Sequence, residues 1–444
     1  VFAVSFDPNQ VIGSLQRLPR PGRYWLGLSG GLDSMTLLQL LATRRSELAG
    51  ELRAVHVNHG LQPQADEWQR QCERVCAGLD VPLECRRINV PRIAGESLEA
   101  TARERRYAVF TELMATGDIL LLAHHQDDQL ETFLLQALRG AGVRGLSAMP
   151  ATAEFAAGLL VRPLLPFSRA ELEAWARPLG FAWVEDPSNQ DLDFDRNYLR
   201  QEIVPRLRAR WPAAANTVSR SARLCAEAAE LVDELAAADW AEAGRGAALP
   251  LKSLESLSGP RARNLLRYWL RSLGLPTPPA HKLDEILNQL PARADRNPCI
   301  DWPGAEVRRY RRRLYAQAPL PPPPADFTLM PGARRELGAG LGSLGLVPAT
   351  GEGIRAALLP LQGLQVAFRS GGESCRPAGR DHQRPLKKWL QELHVLPWLR
   401  GSLPLLYADG RLLAVAGLFV CEPYAANAGE AGLRVDWLEH PPLS

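Results

Sequence analysis

The feature that most limits what this chain can fold into is residues 24–41, YWLGLSGGLDSMTLLQLL. Residues 24–28 make an apolar run of strand length, Ser29-Gly30-Gly31-Leu32-Asp33-Ser34 interrupts it, and Met35, Leu37, Leu38 and Leu41 recur at helical spacing. The pattern predicts a strand, a tight loop and a helix. Paired glycines let a backbone turn sharply and bring N–H groups against an anion. The helix that follows adds its own unpaired N–H groups and a positive dipole end. Ser29 and Ser34 offer hydroxyl donors, while Asp33 has the wrong charge beside a phosphate unless a cation such as Mg²⁺ bridges the two. A Walker A loop is excluded, because that motif needs Gly-Lys-Ser/Thr and residues 1–218 contain no lysine.

At 444 residues the chain exceeds what one hydrophobic core supports, so two or three domains are expected. Hydrophobic residues at 46% and charged residues at 23% exclude wholesale disorder. No apolar run approaches the roughly 18 residues of a membrane helix, and the first residues lack the basic start and apolar core of a signal peptide. A cytoplasmic protein with no membrane partner is therefore expected. Seven cysteines scattered through the chain suit reduced thiols better than a disulfide framework. The formal charge of +3 is unevenly placed: residues 1–218 carry 24 Arg against 26 Asp and Glu, and the remainder carries 28 basic against 23 acidic side chains. The basic excess is C-terminal, which permits an RNA partner without requiring one.

Downstream, 52–57 reads as a second strand leading into His56-Val57-Asn58-His59-Gly60-Leu61, on its own a polar turn around a satisfied histidine. Residues 67–79 are helical with Cys72 and Cys76 on one face, a spacing that suits core packing rather than metal. A strand follows at 83–88. Ser97 is a candidate N-cap for a helix over 98–114 that lines up Glu99, Arg103, Arg106, Tyr107 and Phe110. The next strand, 119–123, runs into His124-His125-Gln126-Asp127-Asp128-Gln129-Leu130-Glu131-Thr132. Leu130, Phe133, Leu134 and Leu138 then mark a helix, with one aspartate expected as its N-cap. Two histidines and two aspartates at a strand's C-terminal edge read as a catalytic cluster. Ser168 caps a further helix to about 179, and polar residues 185–200 combine charge and aromatics in a way that suits phosphate or base contact.

From about residue 213 the chain turns alanine-rich and helical. Residues 219–318 read as a small, mainly helical domain ending in a strand-like segment dense in arginine, 306–316. Residues 319–327 read as a proline-rich linker, and 328–444 as an α+β domain with short strands near 364–368 and 412–418. There Arg376, Arg380, Arg384, Lys387, Lys388, Trp389 and Arg400 gather charge around one aromatic, two of them from a total of four lysines in the chain.

With these residues in hand, the loop 29–34 resembles that of the N-type ATP pyrophosphatases, the PP-loop superfamily. The whole set, comprising that loop, 56–61, EATARERRY at 99–107, AHHQDDQLET at 123–132, DPSNQDLDFDRNYLR at 186–200 and 376–398, resembles the tRNA(Ile)-lysidine synthetase family along most of the chain. The resemblance implies a Rossmann-like parallel-sheet PP-loop domain over 1–218 that adenylates, a helical substrate- and tRNA-binding domain over 219–318, and a tRNA-binding domain over 328–444. It implies that ATP adenylates C2 of cytidine 34 in the CAU anticodon of tRNA(Ile). Free L-lysine then displaces AMP to give lysidine, and the codon read changes from AUG to AUA. A homodimer is compatible with this.

The same resemblance implies roles for individual residues. Ser29, Gly30, Gly31, Leu32, Asp33 and Ser34 would bind ATP, Asp33 and Asp128 would hold Mg²⁺, and Arg103 would meet charge on the α-phosphate. His125 or Asp128 would help deprotonate lysine. Arg196, Asn197, Arg200, Arg376, Arg380, Lys387 and Lys388 would contact tRNA. A tRNA-thiolating PP-loop enzyme would need a Cys-x2-Cys arrangement that this chain lacks. A non-catalytic RNA-binding protein would release no pyrophosphate.

Overall fold

The computed structural model describes residues 6–91, 98–289 and 298–443. The chain forms two compact units divided between Val232 and Asp233. In the first unit the order is α1 (Pro8–Gln16), β1 (Arg23–Gly27), α2 (Leu32–Thr43), β2 (Glu51–Asn58), α3 (Ala65–Gly78), β3 (Leu83–Arg87), α4 (Leu98–Leu113), β4 (Ile119–Leu121), α5 (Gln126–Leu138), β5 (Thr152–Phe155) and β6 (Gly158–Val161). The six strands lie in the order β3-β2-β1-β4-β6-β5. All pairings are parallel except the β5–β6 hairpin.

Alternation along the strands divides the core into two layers. Tyr24, Leu26, Ala54, Leu121 and Val161 face the leucine-rich side of α2 together with Cys72 and Cys76 of α3. Trp25, Val55, Leu120, Leu122 and Leu160 face Val109, Phe110 and Met114 beside α4. Because both faces are covered, β1 and β4 read in sequence as short apolar runs rather than alternating ones. Ser97, the expected cap of α4, and the Glu99 side chain lie outside the described residues.

The helix Ala214–Glu242 carries the chain into the second unit. There the helical region, with Gly259–Ser272 and Ala280–Asn288, also contains an antiparallel sheet, β7 (Ala248–Pro250), β8 (Cys299–Trp302), β9 (Ala305–Tyr310) and β10 (Arg313–Gln317), ordered β7-β10-β9-β8. The arginine-dense segment is thus the β9–β10 hairpin. Its turn is made by Arg311 and Arg312 at φ +45° and +61°, a conformation usually signalled by Asn-Gly, which is why the turn is not legible in the sequence. Beyond the prolines, antiparallel sheets of five, four and two strands among the described residues surround a core that includes Leu344, Leu405, Trp389 and Trp437. Among the described residues, no helix is long and apolar enough to cross a membrane.

Candidate active site

In the strand order β3-β2-β1-β4, chain connections leave β1 and β4 toward opposite sides, and the C-terminal ends of these two neighbours form the crevice where open α/β sheets bind ligands. The loop after β1 and the loop after β4 both open into helices there. Gly30 takes φ +87°, and a side chain at that position would sit 3.3 Å from Cys72 Sγ and 3.5 Å from Val184 Cγ2. The Val184 N–H also donates to the Gly30 carbonyl at 2.9 Å. The glycine turn is therefore backed by protein on one side. Gly31 is the N-cap of α2, and no side chain caps that end, which leaves first-turn N–H groups for an anion.

The serines behave differently from the expectation of free hydroxyl donors. Ser29 Oγ and Ser34 Oγ lie 3.0 Å apart, Ser34 Oγ donates to the Gly31 carbonyl at 3.1 Å, and the Gly31 N–H donates to Ser29 Oγ at 3.3 Å. These hydroxyls brace the loop itself. Cys72 supports the loop too, and burial pushes its thiol up to about 12, the wrong direction for a nucleophile.

At the neighbouring edge His125, not an aspartate, is the N-cap of α5. The His125 N–H donates to Asp128 Oδ2 at 3.0 Å and the Asp128 N–H meets His125 Nδ1 at 3.4 Å, an imidazole version of the capping box. His125 Nε2 lies 3.5 Å from Asp33 Oδ2 and 3.5 Å from Asp128 Oδ2, so the two loops meet through this ring. Burial opposes charge on His125, but Asp128, Asp33 and Asp127 outweigh it and lift the ring to about 9. Asp128, against the pull of burial, is held at about 2 by His125, His124 and Arg196. The carboxylates favour the imidazolium, in which a proton on Nδ1 gives up the long 3.4 Å contact from the Asp128 N–H, and in that state His125 cannot accept a further proton. Asp127 Oδ2 lies 3.6 Å from His125 Nδ1 and also receives the Arg169 N–H at 2.9 Å, while the Arg208 guanidinium takes its other oxygen.

Asp33 Oδ1 is buried without a hydrogen-bond partner. With Asp128 converging on the same imidazole, two carboxylates share one small space, and a Mg²⁺ completed by phosphate oxygens and water fits that donor set. Among the described residues no group of three or more His, Cys, Asp or Glu forms a cage that could hold a metal by itself.

Glu131, one turn beyond Asp128 and only 2% exposed, is a residue to which the sequence alone assigns no role. It receives Arg196 Nε at 3.0 Å and Arg200 Nε and Nη2 at 2.7 and 2.8 Å, and Arg200 Nη2 also reaches Asp128 Oδ1 at 3.3 Å. The Asn197 amide donates to the Ser188 and Asp191 carbonyls at 2.8 and 2.9 Å. Arg196, Asn197 and Arg200, expected to contact RNA, all have partners within the protein. The i, i+4 spacing of the arginines, set against Asp128 and Glu131 at i, i+3, is the signal that could have paired them. Leu199–Ile203 is π-helical, a distortion frequent at functional sites.

On the other face of the sheet Arg103 is exposed and lies along Tyr107, with Nη2 3.1 Å from the phenol oxygen and the guanidinium carbon 4.8 Å from the ring centre. His124 is pushed down to about 3 by burial, against the pull of Asp128. His56 is satisfied by the Leu28 carbonyl at 2.9 Å. In the second unit Arg376, Lys387 and Lys388 are exposed. Arg380 pairs with Glu392 at 3.1 Å and lies over Trp389, which is buried and donates to the Cys375 carbonyl at 3.1 Å. Trp389 is therefore a core residue, not a platform for a base.

A parallel sheet with a glycine loop after β1 and an Asp-His loop facing it after β4 defines a PP-loop enzyme, and the family model described as the PP-loop domain matches residues 9–207. Two more models match, the TilS substrate binding domain over 249–315 and the TilS substrate C-terminal domain over 364–437. The tRNA(Ile)-lysidine synthase of Coxiella burnetii is 39% identical, covering 97% of this chain and 96% of its own. Those of Alkalilimnicola ehrlichii and Methylococcus capsulatus are 42% and 41% identical, covering 98% and 93% of this chain and 98% and 96% of theirs. The chain belongs to the tRNA(Ile)-lysidine synthase family, and it is an ATP-using ligase of the PP-loop class.

Proposed function

We propose that this enzyme joins the ε-amine of free L-lysine to C2 of cytidine 34 in the CAU anticodon of tRNA(Ile), by way of an adenylated cytidine, so that the tRNA reads AUA in place of AUG. The observation that carries the reading is the meeting of Asp33 and Asp128 through His125 at the sheet's crevice. In the first step the C2 oxygen attacks the α-phosphate of ATP and pyrophosphate leaves. In the second the amine attacks C2 and AMP leaves, a far better leaving group than the original oxygen.

The N–H groups of Leu32 to Ser34 hold the pyrophosphate portion, and Arg103 meets charge building on the α-phosphate. A Mg²⁺ held by Asp33 and Asp128 would neutralise the phosphates. With a solution pKa near 10.4, on the order of one lysine amine in a thousand or fewer is neutral at pH 7, so a proton acceptor is needed. Asp128 is the resting carboxylate at that place. His125 joins it when the carboxylates that hold its proton are neutralised. Arg196 and Arg200 act as positioning residues that fix α5 through Glu131.

We further propose that 1–218 performs adenylation, that 219–318 and 328–444, joined by 319–327, bind tRNA through Arg376, Arg380, Lys387 and Lys388, and that the protein works in the cytoplasm with its cysteines reduced. The order of steps is tested with ATP labelled at the α-phosphate: label should pass to tRNA(Ile) without lysine and leave as AMP when lysine is added. Release of AMP with no labelled tRNA at any time would remove the adenylated intermediate.

A further inference from the structure

Successive residues at the end of a parallel strand point to opposite faces of the sheet, and this separates two parts of the crevice. His125 turns toward α2 and Asp33. Arg162 follows Val161 of β6, whose partner across β4 is Leu121, and its side chain lies on the α4 face beside Tyr107. It is 6% exposed. Nη1 donates to the Pro150 carbonyl at 2.7 Å, while Nε is buried without a partner. No carboxylate lies within ion-pairing distance of Arg162 among the described residues. Tyr107, which shares a side-chain hydrogen bond with it, Arg103 and His124 are its charged or polar neighbours, and His124 Nδ1 is also buried without a partner. With no carboxylate among the described residues to balance it, a buried guanidinium is costly to the folded protein, and its unpartnered Nε edge is the part of the fork that takes a carboxylate.

We propose that Arg162 binds the α-carboxylate of the free amino-acid substrate; this rests on the reading of lysine as the second substrate. A phosphodiester, with a sugar on each side, is a poor match for so deeply buried a cation, whereas a terminal carboxylate can reach it. Beyond the strand ends, where the two faces of the sheet meet, the dimensions along the edge agree. Neighbouring strands are about 4.8 Å apart, so the ends of β6 and β1 are separated by roughly 10 Å. An extended lysine spans about 7 Å from carboxylate carbon to amine nitrogen, which with one hydrogen bond at Arg162 brings the amine to the β4–β1 edge. Asp128 and His125 stand there. Tyr107, packed edge-on against Phe155 and tilted on Phe110, keeps Arg103 and Arg162 from moving independently of α4.

The test compares lysine with 1,5-diaminopentane, which has the same amine and no carboxylate. Wild-type enzyme should favour lysine by at least about 100-fold in kcat/KM, mostly through KM. In Arg162→Met that preference should collapse to within about threefold, with Arg162→Lys between the two. General damage to the fold lowers both amines together and leaves the ratio intact, so a preserved ratio in the variants overturns the proposal. So does wild-type enzyme that uses the diamine as well as lysine, a result that needs no variant to fold. A variant with weakened tRNA affinity and an unaltered ratio would move Arg162 to an RNA phosphate. If wild-type enzyme attaches neither amine, it is the lysine reading that fails.

Discussion

Asp33 stands at the start of α2 with one oxygen buried and unpartnered, an arrangement that does little for stability and makes sense for a ligand. Asp33→Asn should therefore lower tRNA-dependent pyrophosphate release by at least about 100-fold, while shifting stability by less than about 1 kcal/mol. Pyrophosphate assay and thermal melting of the same preparation check both halves. His125 gives a pH signature. Its folded value is raised to about 9 from 6.5, so its proton stabilises the metal-free fold fully below pH 6.5, and that stabilisation is lost as pH rises through 9. The stability difference between wild type and His125→Gln, measured in chelator, should shrink across that window; a constant difference would contradict the raised value. Part of this scale is legible in the sequence: Asp33, His125 and Asp128 come together, an association that the sequence offers only through the family resemblance. The cap of α5 departs from expectation because an imidazole nitrogen takes the place usually given to a carboxylate. The pairing of Arg196 and Arg200 with Glu131 is not read from the sequence, which does not show a buried acid one turn from another.

β1 to β4 and α2 to α5 are legible in the sequence, since β1 has a buried apolar centre, β4 is a fully buried apolar run and α2 has a leucine face, whereas α1 and β5 are not read there. The short β7 and the β9–β10 turn are not, because three residues carry no period and Arg311-Arg312 is not a usual turn pair. Nor is the clamp between α5 and 195–203, where one carboxylate organises two arginines. Glu131→Ala leaves both without their main partner. It should cost about 3 kcal/mol or more and loosen the π-helical segment, with activity falling alongside. Hydrogen exchange across 195–210 is the measurement that separates this from a purely chemical role. Unchanged protection there would mean that the clamp does not hold the segment.

Across the whole molecule, the basic excess of the C-terminal half matches the exposure of Arg376, Lys387 and Lys388. Neutralising Arg380, Lys387 and Lys388 together should weaken tRNA binding and flatten its salt dependence, by roughly 0.7 to 0.9 in slope for each phosphate that no longer meets a cation. ATP binding should stay as it was. Titration of tRNA at several salt concentrations reads both effects, and an unaltered slope would place the RNA elsewhere. Two tRNAs can share the CAU anticodon, so choosing one requires contacts beyond it, and a chain with further domains after the PP-loop sheet suits that task. The central claim is that ATP drives free lysine onto cytidine 34. Radiolabelled lysine, ATP and purified enzyme should label tRNA(Ile) with a CAU anticodon, should label tRNA(Met) of the same anticodon poorly, and should leave a cytidine 34 to uridine transcript unlabelled; equal labelling of all three, or none of the first, would contradict it.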